Sequence, residues 1–183
     1  MTPILADAGV PMVMLIFPAA FFLLVPIVGI ETWVARRVSP VSAGRRFVGV
    51  LTANAVSTIV GWPLTWIILA LLQLFVIPGG QSGYNFPPPF GAIASVTLQA
   101  PWLMPYEDEL YWMIPTAAMI LMIPAFFVSV FTEGFVLRFF WRETAAGERR
   151  SFAWFANLAS YALLYVLGIA WLLYSIAFSY KPT

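Results

Sequence analysis

The sequence lacks two residue types that carry much of protein chemistry, because it contains no cysteine and no histidine. Without cysteine there are no disulfides and no thiolate ligands. Without histidine the chain loses the commonest general base and the commonest ligand of zinc, copper and haem iron. Its only lysine, Lys181, lies in the C-terminal tail, and no glycine-rich phosphate-binding motif is present. We therefore expect no enzymatic function, no catalytic residues and no metal site.

Charge is also scarce, since 9% of the residues are charged and 62% are hydrophobic. Soluble domains carry roughly 25% charged residues. Apolar runs of about 20 residues recur, and that length crosses a hydrocarbon core. The sequence therefore predicts an all-α integral membrane protein with a single membrane domain over residues 1–183. Its expected partners are membrane lipids and other membrane-protein subunits in a homo- or hetero-oligomer, and not nucleic acid.

Apolar runs and turn residues predict four transmembrane helices over about 11–35, 47–77, 111–140 and 152–178. They pair into two helical hairpins, at about 11–77 and 111–178. Each hairpin has a short polar turn of about ten residues. A long Pro-rich loop, 78–110, joins the hairpins and opens with P-G-G-Q-S-G-Y-N-F-P-P-P.

Basic residues are concentrated at the two short turns, which by the positive-inside rule places both turns in the cytoplasm. Both termini and the 78–110 loop are then non-cytoplasmic. The same side chains are candidates for contact with anionic lipid head groups. They are Arg36, Arg37, Arg45, Arg46, Arg138, Arg142, Arg149 and Arg150.

The two hairpins share an order of polar residues that indicates an internal parallel repeat, with an offset of 102 to 104 positions. Each hairpin has a glutamate near the end of its first span, an arginine five positions later, an Ala-Gly pair and an Arg pair. In this alignment Glu148 is an insertion before the second Arg pair. An Asn and a Ser three positions apart follow. The alternative is chance similarity between two apolar hairpins.

Spacing from the arginines predicts that these polar groups share one layer inside the membrane. The glutamates lie roughly 7 Å inside the basic boundary, and the asparagines roughly 11 Å inside it, at 1.5 Å per residue. An Asn and a Ser three positions apart lie on one helix face. The predicted layer consists of Glu31, Asn54, Ser57, Glu133, Asn157 and Ser160.

This polar layer has two interpretations. In the first it is structural, with hydrogen bonds that fix the register of the hairpins. In the second, Glu31 and Glu133 form part of an ion or proton path. The first is favoured, because the layer lies near one edge of the bilayer and transporter sites favour the midplane.

The stretch I-E-T-W-V-A-R-R, followed by T-A-N-A-V-S-T-I-V-G-W, resembles the filament integrity membrane proteins of cyanobacteria. The later segments P-A-F-F-V-S-V-F-T-E-G and A-N-L-A-S-Y are similar in manner, so the resemblance covers roughly 110 residues, without the central loop. The residues that match the N-x-x-S-T-x-x-G-W pattern are Asn54, Ser57, Thr58, Gly61 and Trp62.

The resemblance implies a structural role at the septum between adjoining cells, in cell–cell junctions and filament cohesion. The expected location is the cell inner membrane, at the septum if the resemblance holds, or a thylakoid. Two other functions stay open: a small channel or transporter subunit that uses the glutamate layer, or an accessory subunit of a photosynthetic or electron-transport complex. No cofactor is expected, although a lipid or a pigment held without histidine is compatible with the sequence.

Overall fold

The computed structural model describes residues 12–76 and 110–179, and these form four α-helices. They are α1 (Met12–Val38), α2 (Ala43–Val76), α3 (Leu110–Phe140) and α4 (Ala146–Ser179). Because these four helices are the regular elements of the described residues, the all-helical prediction is confirmed for them. A helix suits a lipid environment, since it pairs every backbone N–H and C=O group inside one segment.

Three of these helices are long and apolar enough to cross a membrane. The spans are Ala43–Thr65 in α2, Tyr111–Phe140 in α3 and Ala146–Phe178 in α4. Prolines interrupt the backbone ladder inside three of the helices, including Pro26 in α1, Pro63 in α2, and Pro115 and Pro124 in α3. Such prolines are tolerated in membrane helices, where neighbouring groups compensate for the lost hydrogen bond.

The connections within the hairpins are shorter than the ten residues that the sequence predicts, because the helices extend into them. Only residues 39–42 separate α1 from α2, and residues 141–145 separate α3 from α4. The predicted 78–110 loop, apart from Leu110, and both chain termini lie outside the described residues. We use "turn end" for the end of the bundle that carries the two short connections.

The four helices form a closed square. Helix α1 packs against α2 and α4, and α3 packs against α2 and α4, whereas α1 and α3 lie on a diagonal and make few contacts. Neighbouring helices are antiparallel, because both short connections lie at the same end. A buried apolar cluster fills the bundle toward the turn end. It includes Ala35, Val50, Leu137, Trp141 and Phe152.

Candidate functional site

The six polar residues predicted to share a layer lie together in the middle of the helix square, and all six are buried. Glu31 is 0% exposed and Glu133 is 1% exposed. Each carboxylate projects from the last third of its helix, α1 or α3, toward the two neighbouring helices. The asparagines and serines project from α2 and α4, one helical turn apart.

Each carboxylate accepts one hydrogen bond from the asparagine of its own hairpin. The Nδ2 atom of Asn54 donates to Oε2 of Glu31 at 2.6 Å, and Nδ2 of Asn157 donates to Oε2 of Glu133 at the same distance, 2.6 Å. Each amide also donates to a backbone carbonyl four residues earlier, that of Val50 at 3.0 Å for Asn54. Both hydrogens of each amide are therefore used, which fixes the orientation of its side chain.

The serines connect the two hairpins, because each one donates to the carboxylate of the opposite hairpin. The hydroxyl of Ser160 on α4 donates to Oε1 of Glu31 at 2.8 Å. The hydroxyl of Ser57 on α2 donates to Oε1 of Glu133 at 3.1 Å. Each hydroxyl also lies near the carbonyl of the asparagine three residues earlier, at 3.0 Å for Ser57 and 3.2 Å for Ser160. A hydroxyl has one hydrogen, so the carboxylate and this carbonyl share it.

The four bonds to the carboxylates form a ring with one bond at each of the four helix–helix interfaces. Asn54 bridges α2 to α1, Ser160 bridges α4 to α1, Asn157 bridges α4 to α3, and Ser57 bridges α2 to α3. We call this set of six residues the polar ring. A rotation or sliding of any one helix breaks two of the four bonds, so the ring fixes the register of all four helices.

The turn arginines have a role that the sequence analysis missed. Nη2 of Arg46 donates to the carbonyl oxygens of Ser39 and Val41, at 3.0 and 2.8 Å. Nη1 of Arg149 donates in the same manner to the carbonyl oxygens of Trp141, at 3.2 Å, and Thr144. Both arginines thus donate to backbone carbonyls of the connection that joins the two helices of their hairpin.

These contacts also correct the alignment of the two turns. Arg46 corresponds to Arg149, so the extra residue of the second hairpin lies in the 141–145 connection, and Glu148 is not an insertion. Glu148 accepts a hydrogen bond from the backbone N–H of Ala145 at 3.3 Å, which is half of a capping box at the start of α4. The sequence signal for this contact is a glutamate three positions after Ala145, the residue that precedes α4.

The other predicted basic residues lie at the surface. Arg45 forms an exposed ion pair with Glu143 across the two turns, at 2.9 Å. Arg37 stacks over Trp33, and Arg138 stacks over two phenylalanines of its own helix. Contact between lipid head groups and the exposed arginines stays a prediction. The residues of this group that are exposed are Arg36, Arg37, Arg45, Arg138, Arg142 and Arg150.

A cavity of about 160 Å³ lies on the side of the polar ring away from the turn end. Its walls are mainly apolar, with Leu23 and Ile27 from α1 and Leu121 from α3. On α2, the side chains of Thr58 and Thr65 line it. The polar ring therefore separates two unlike halves of the bundle, a filled half toward the turns and a half with free volume.

Among the described residues, no group of three or more Asp, Glu, Cys or His side chains is placed to hold a metal ion. The carboxylates of Glu31 and Glu133 face neutral amide and hydroxyl donors. This donor set supports hydrogen bonding across helices.

The fold and the ring together define a class: an all-helical protein of the kind that spans membranes, with a buried ring of carboxylates, amides and hydroxyls. Comparison with protein-family models, with curated proteins and with solved structures finds no match to this chain. The resemblance to filament integrity proteins accordingly stays a prediction.

Proposed function

We propose that this chain is a non-enzymatic structural subunit of a larger membrane complex. It would cross the membrane four times as two parallel-repeat hairpins, and the hydrogen bonds of the polar ring would hold the hairpins together. The observation that carries this proposal is that each carboxylate binds an asparagine of its own hairpin and a serine of the other. These serine bonds between the hairpins join them into one rigid unit, as a scaffold requires.

The fourth span of this proposal is α1, which has 27 residues. At 1.5 Å per residue it is about 40 Å long, which exceeds the roughly 30 Å of a hydrocarbon core. Its Glu31 also lies in the same ring as the residues of the three other helices. A helix that shares the ring shares the depth of that ring in the membrane.

The outer face of α3 supports assembly with other subunits. Five large apolar side chains, four positions apart, are each about half exposed and form one continuous ridge. Ridges of this spacing pack into the grooves of a neighbouring helix. We call this set the α3 ridge, and its members are Ile123, Phe127, Phe131, Phe135 and Phe139.

Extraction of the full chain in mild detergent tests the assembly proposal. We expect the chain to migrate as an assembly larger than a monomer and to retain other membrane proteins. The double variant Phe131→Ala, Phe135→Ala should release it, while the matched double variant Val166→Ala, Leu173→Ala on the exposed face of α4 should not. Recovery of the unmodified chain as a lone monomer would contradict the proposal.

The resemblance to filament integrity proteins extends the proposal to septal junctions between cells. A fluorescently tagged chain in a filament-forming host should then concentrate at the septa. An even distribution around each cell would remove the septal role and leave the scaffold role untouched, because the detergent experiment reports on assembly alone.

A second candidate is a channel or transporter subunit, and it is favoured by the cavity that ends at the polar ring. Against it, the half of the bundle toward the turns is filled by side chains such as Leu137 and Trp141, each 0% exposed. Flux measured in liposomes separates the two candidates. An ion or proton flux that Glu31→Gln and Glu133→Gln abolish without disturbing assembly would favour the transporter.

A further inference from the structure

The two glutamates of the polar ring have no cation beside them to balance their charge. Glu31 is 0% exposed and Glu133 is 1% exposed. In the part of the chain that the structure describes, the one ion pair joins Arg45 to Glu143 at the surface. An ionised carboxylate that has left water is strongly unfavourable unless a cation and hydrogen bonds offset the lost hydration. Two ionised glutamates would also repel each other within one ring, so the ionised form of the ring is unfavourable on both counts.

The helices around the two glutamates face them with uncharged groups. From α2 and α4 come the amides and hydroxyls of the polar ring. From α4 also comes Tyr161, which lines the cavity together with both glutamates and forms a hydrogen bond of 3.0 Å with the hydroxyl of Ser129. The turn arginines Arg46 and Arg149 donate instead to backbone carbonyls of the two connections. The titratable groups that meet at the ring are therefore this tyrosine and the two glutamates, which come from α1 and α3.

The serines of the ring have too few hydrogens for an ionised ring. The hydroxyl oxygen of Ser160 lies 2.8 Å from Oε1 of Glu31 and 3.2 Å from the carbonyl oxygen of Asn157. Ser57 has the same two kinds of neighbour, at 3.1 and 3.0 Å. When the glutamates are ionised, both neighbours are acceptors, and each serine has a single hydrogen for the two of them. One acceptor beside each serine then lacks a full hydrogen bond.

One proton on each glutamate removes this shortage. A proton on Oε1 is donated to the serine oxygen, and the serine hydrogen then goes wholly to the backbone carbonyl. The distance between two oxygens does not show which of them carries the hydrogen, so the geometry fits this arrangement as well. Oε2 is the less suitable place for the proton, because Nδ2 of an asparagine already donates to it and uses both amide hydrogens. With the two protons added, every polar hydrogen of the ring has one acceptor.

We propose that the polar ring is a proton-binding site that holds one proton on Oε1 of Glu31 and one on Oε1 of Glu133. The ring is then uncharged while the two hairpins are joined. Loss of the protons places two negative charges between the hairpins and leaves each serine with two acceptors, so the connection weakens as the pH rises. The proposal rests on the geometry of the ring alone, and it holds whether or not the chain belongs to a larger complex.

Infrared spectroscopy of the full chain at neutral pH detects these protons directly. The C=O stretch of a carboxylic acid is distinct from the bands of a carboxylate and shifts in D₂O, and maltoside micelles add no ester carbonyl. We expect a carboxylic acid band that Glu31→Gln or Glu133→Gln reduces by about half and that the double variant lacks, because glutamine copies the shape of a neutral glutamic acid. Glu143→Gln, at a side chain that is 68% exposed, is the matched control and should leave the band unchanged.

The pH dependence of reversible unfolding in mixed micelles counts the protons. Above about pH 5.5 the glutamates of an unfolded chain are ionised. If the folded chain keeps two protons there, it binds more protons than the unfolded chain, and its stability falls as the pH rises. Relative to the double glutamine variant, the equilibrium constant for folding should fall about 100-fold per pH unit, and in each single variant about tenfold. The decline should end at the pH where the folded ring itself releases its protons.

Three results would overturn the proposal: no carboxylic acid band at neutral pH, a band that survives in the double variant, or the same pH dependence of folding in the unmodified chain and the double variant. Carboxylate bands in a chain that added Na⁺ stabilises would also overturn it, since they would show a metal cation in place of the protons. If the double variant does not fold, the single variants decide the question, because each should lose about half of the band.

Discussion

The two hairpins contribute the same polar groups to the ring but different apolar volumes beside it. Ser39 and Trp141 occupy equivalent places. The N–H of each donates to the carbonyl four residues earlier, at 3.0 and 2.8 Å. The carbonyl of each accepts a hydrogen bond from a turn arginine. Gly49 and Phe152 each lie five positions before the ring asparagine. One hairpin thus has a serine and a glycine where the other has a tryptophan and a phenylalanine.

The difference has a steric cause. Trp141 and Phe152 pack with ring centroids 4.7 Å apart, and both are essentially unexposed. Gly49 leaves the space for them, because a Cβ atom there would lie 2.9 Å from Nε1 of Trp141. In the polar ring, each hairpin can contribute the same donors and acceptors. In the packed cluster, a large side chain from one hairpin needs a small residue opposite it in the other hairpin. The two hairpins therefore agree at the ring and differ toward the turn end.

The largest expected effect comes from the large side of this packing. Trp141→Ala removes a side chain that is 0% exposed and leaves a cavity between the polar ring and the turn end. We expect the free energy of unfolding to fall by about 3–5 kcal/mol, as for other buried aromatic truncations. Reversible unfolding in mixed micelles measures it. Trp171→Ala, at a position that is 43% exposed, is the control and should cost much less.

The small side of the packing can be tested by adding volume instead of removing it, and we expect a smaller loss of stability there. Gly49→Ala places a methyl group against the Trp141 ring and the Cβ atom of Phe140, and we expect a loss of about 1–3 kcal/mol. In the Trp141→Ala background the same change should cost little, since the obstructing ring is gone. Gly44→Ala is the control, because nothing lies within 4 Å of a Cβ atom there. Equal costs in both backgrounds would contradict the proposed contact.

The ring itself should respond equally in the two hairpins. Asn54→Ala and Asn157→Ala each leave one carboxylate oxygen without its 2.6 Å donor. We expect each variant to lose about 1–3 kcal/mol, with the two values within about 0.5 kcal/mol of each other. Ser151→Ala, at an exposed position on α4, is the control. A large difference between the losses for the two asparagine variants would show that the two hairpins contribute unequally to the stability of the polar ring.

The polar members of this comparison could be predicted from the sequence, and the apolar members could not. Glu31 and Asn54 stand out because lipid-embedded segments rarely carry such groups without partners. Which serine binds which carboxylate depends on the order of helices around the square, and that order is not a local property. The pairing of Gly49 with Trp141 and the volume beside Thr65 depend on how distant surfaces fit, so no sequence spacing indicates them.

The serines test the connection between hairpins, whereas the asparagines bond within their own hairpin. Ser160→Ala and Ser57→Ala each remove one bond across hairpins, of 2.8 and 3.1 Å. Hydrogen bonds between membrane helices average about 0.6 kcal/mol, and we expect losses near that value. The loss should be larger for Ser160, whose bond is shorter and whose second acceptor is farther away. The combined variant should lose the sum, unless the helices slide once both bonds are absent.

The smallest effect is expected where the hairpins meet at the surface. The ion pair of Arg45 with Glu143 joins the two turns at 2.9 Å, but the side chains are 51% and 68% exposed. Water screens such pairs, which contribute roughly 0.2–1 kcal/mol at most. Glu143→Gln should therefore change the free energy of unfolding by less than about 0.5 kcal/mol, and added salt should remove even that difference. A loss larger than that of Ser160→Ala would mean that the exposed ion pair at the turns, and not the buried serine bonds, contributes most to the connection between the hairpins.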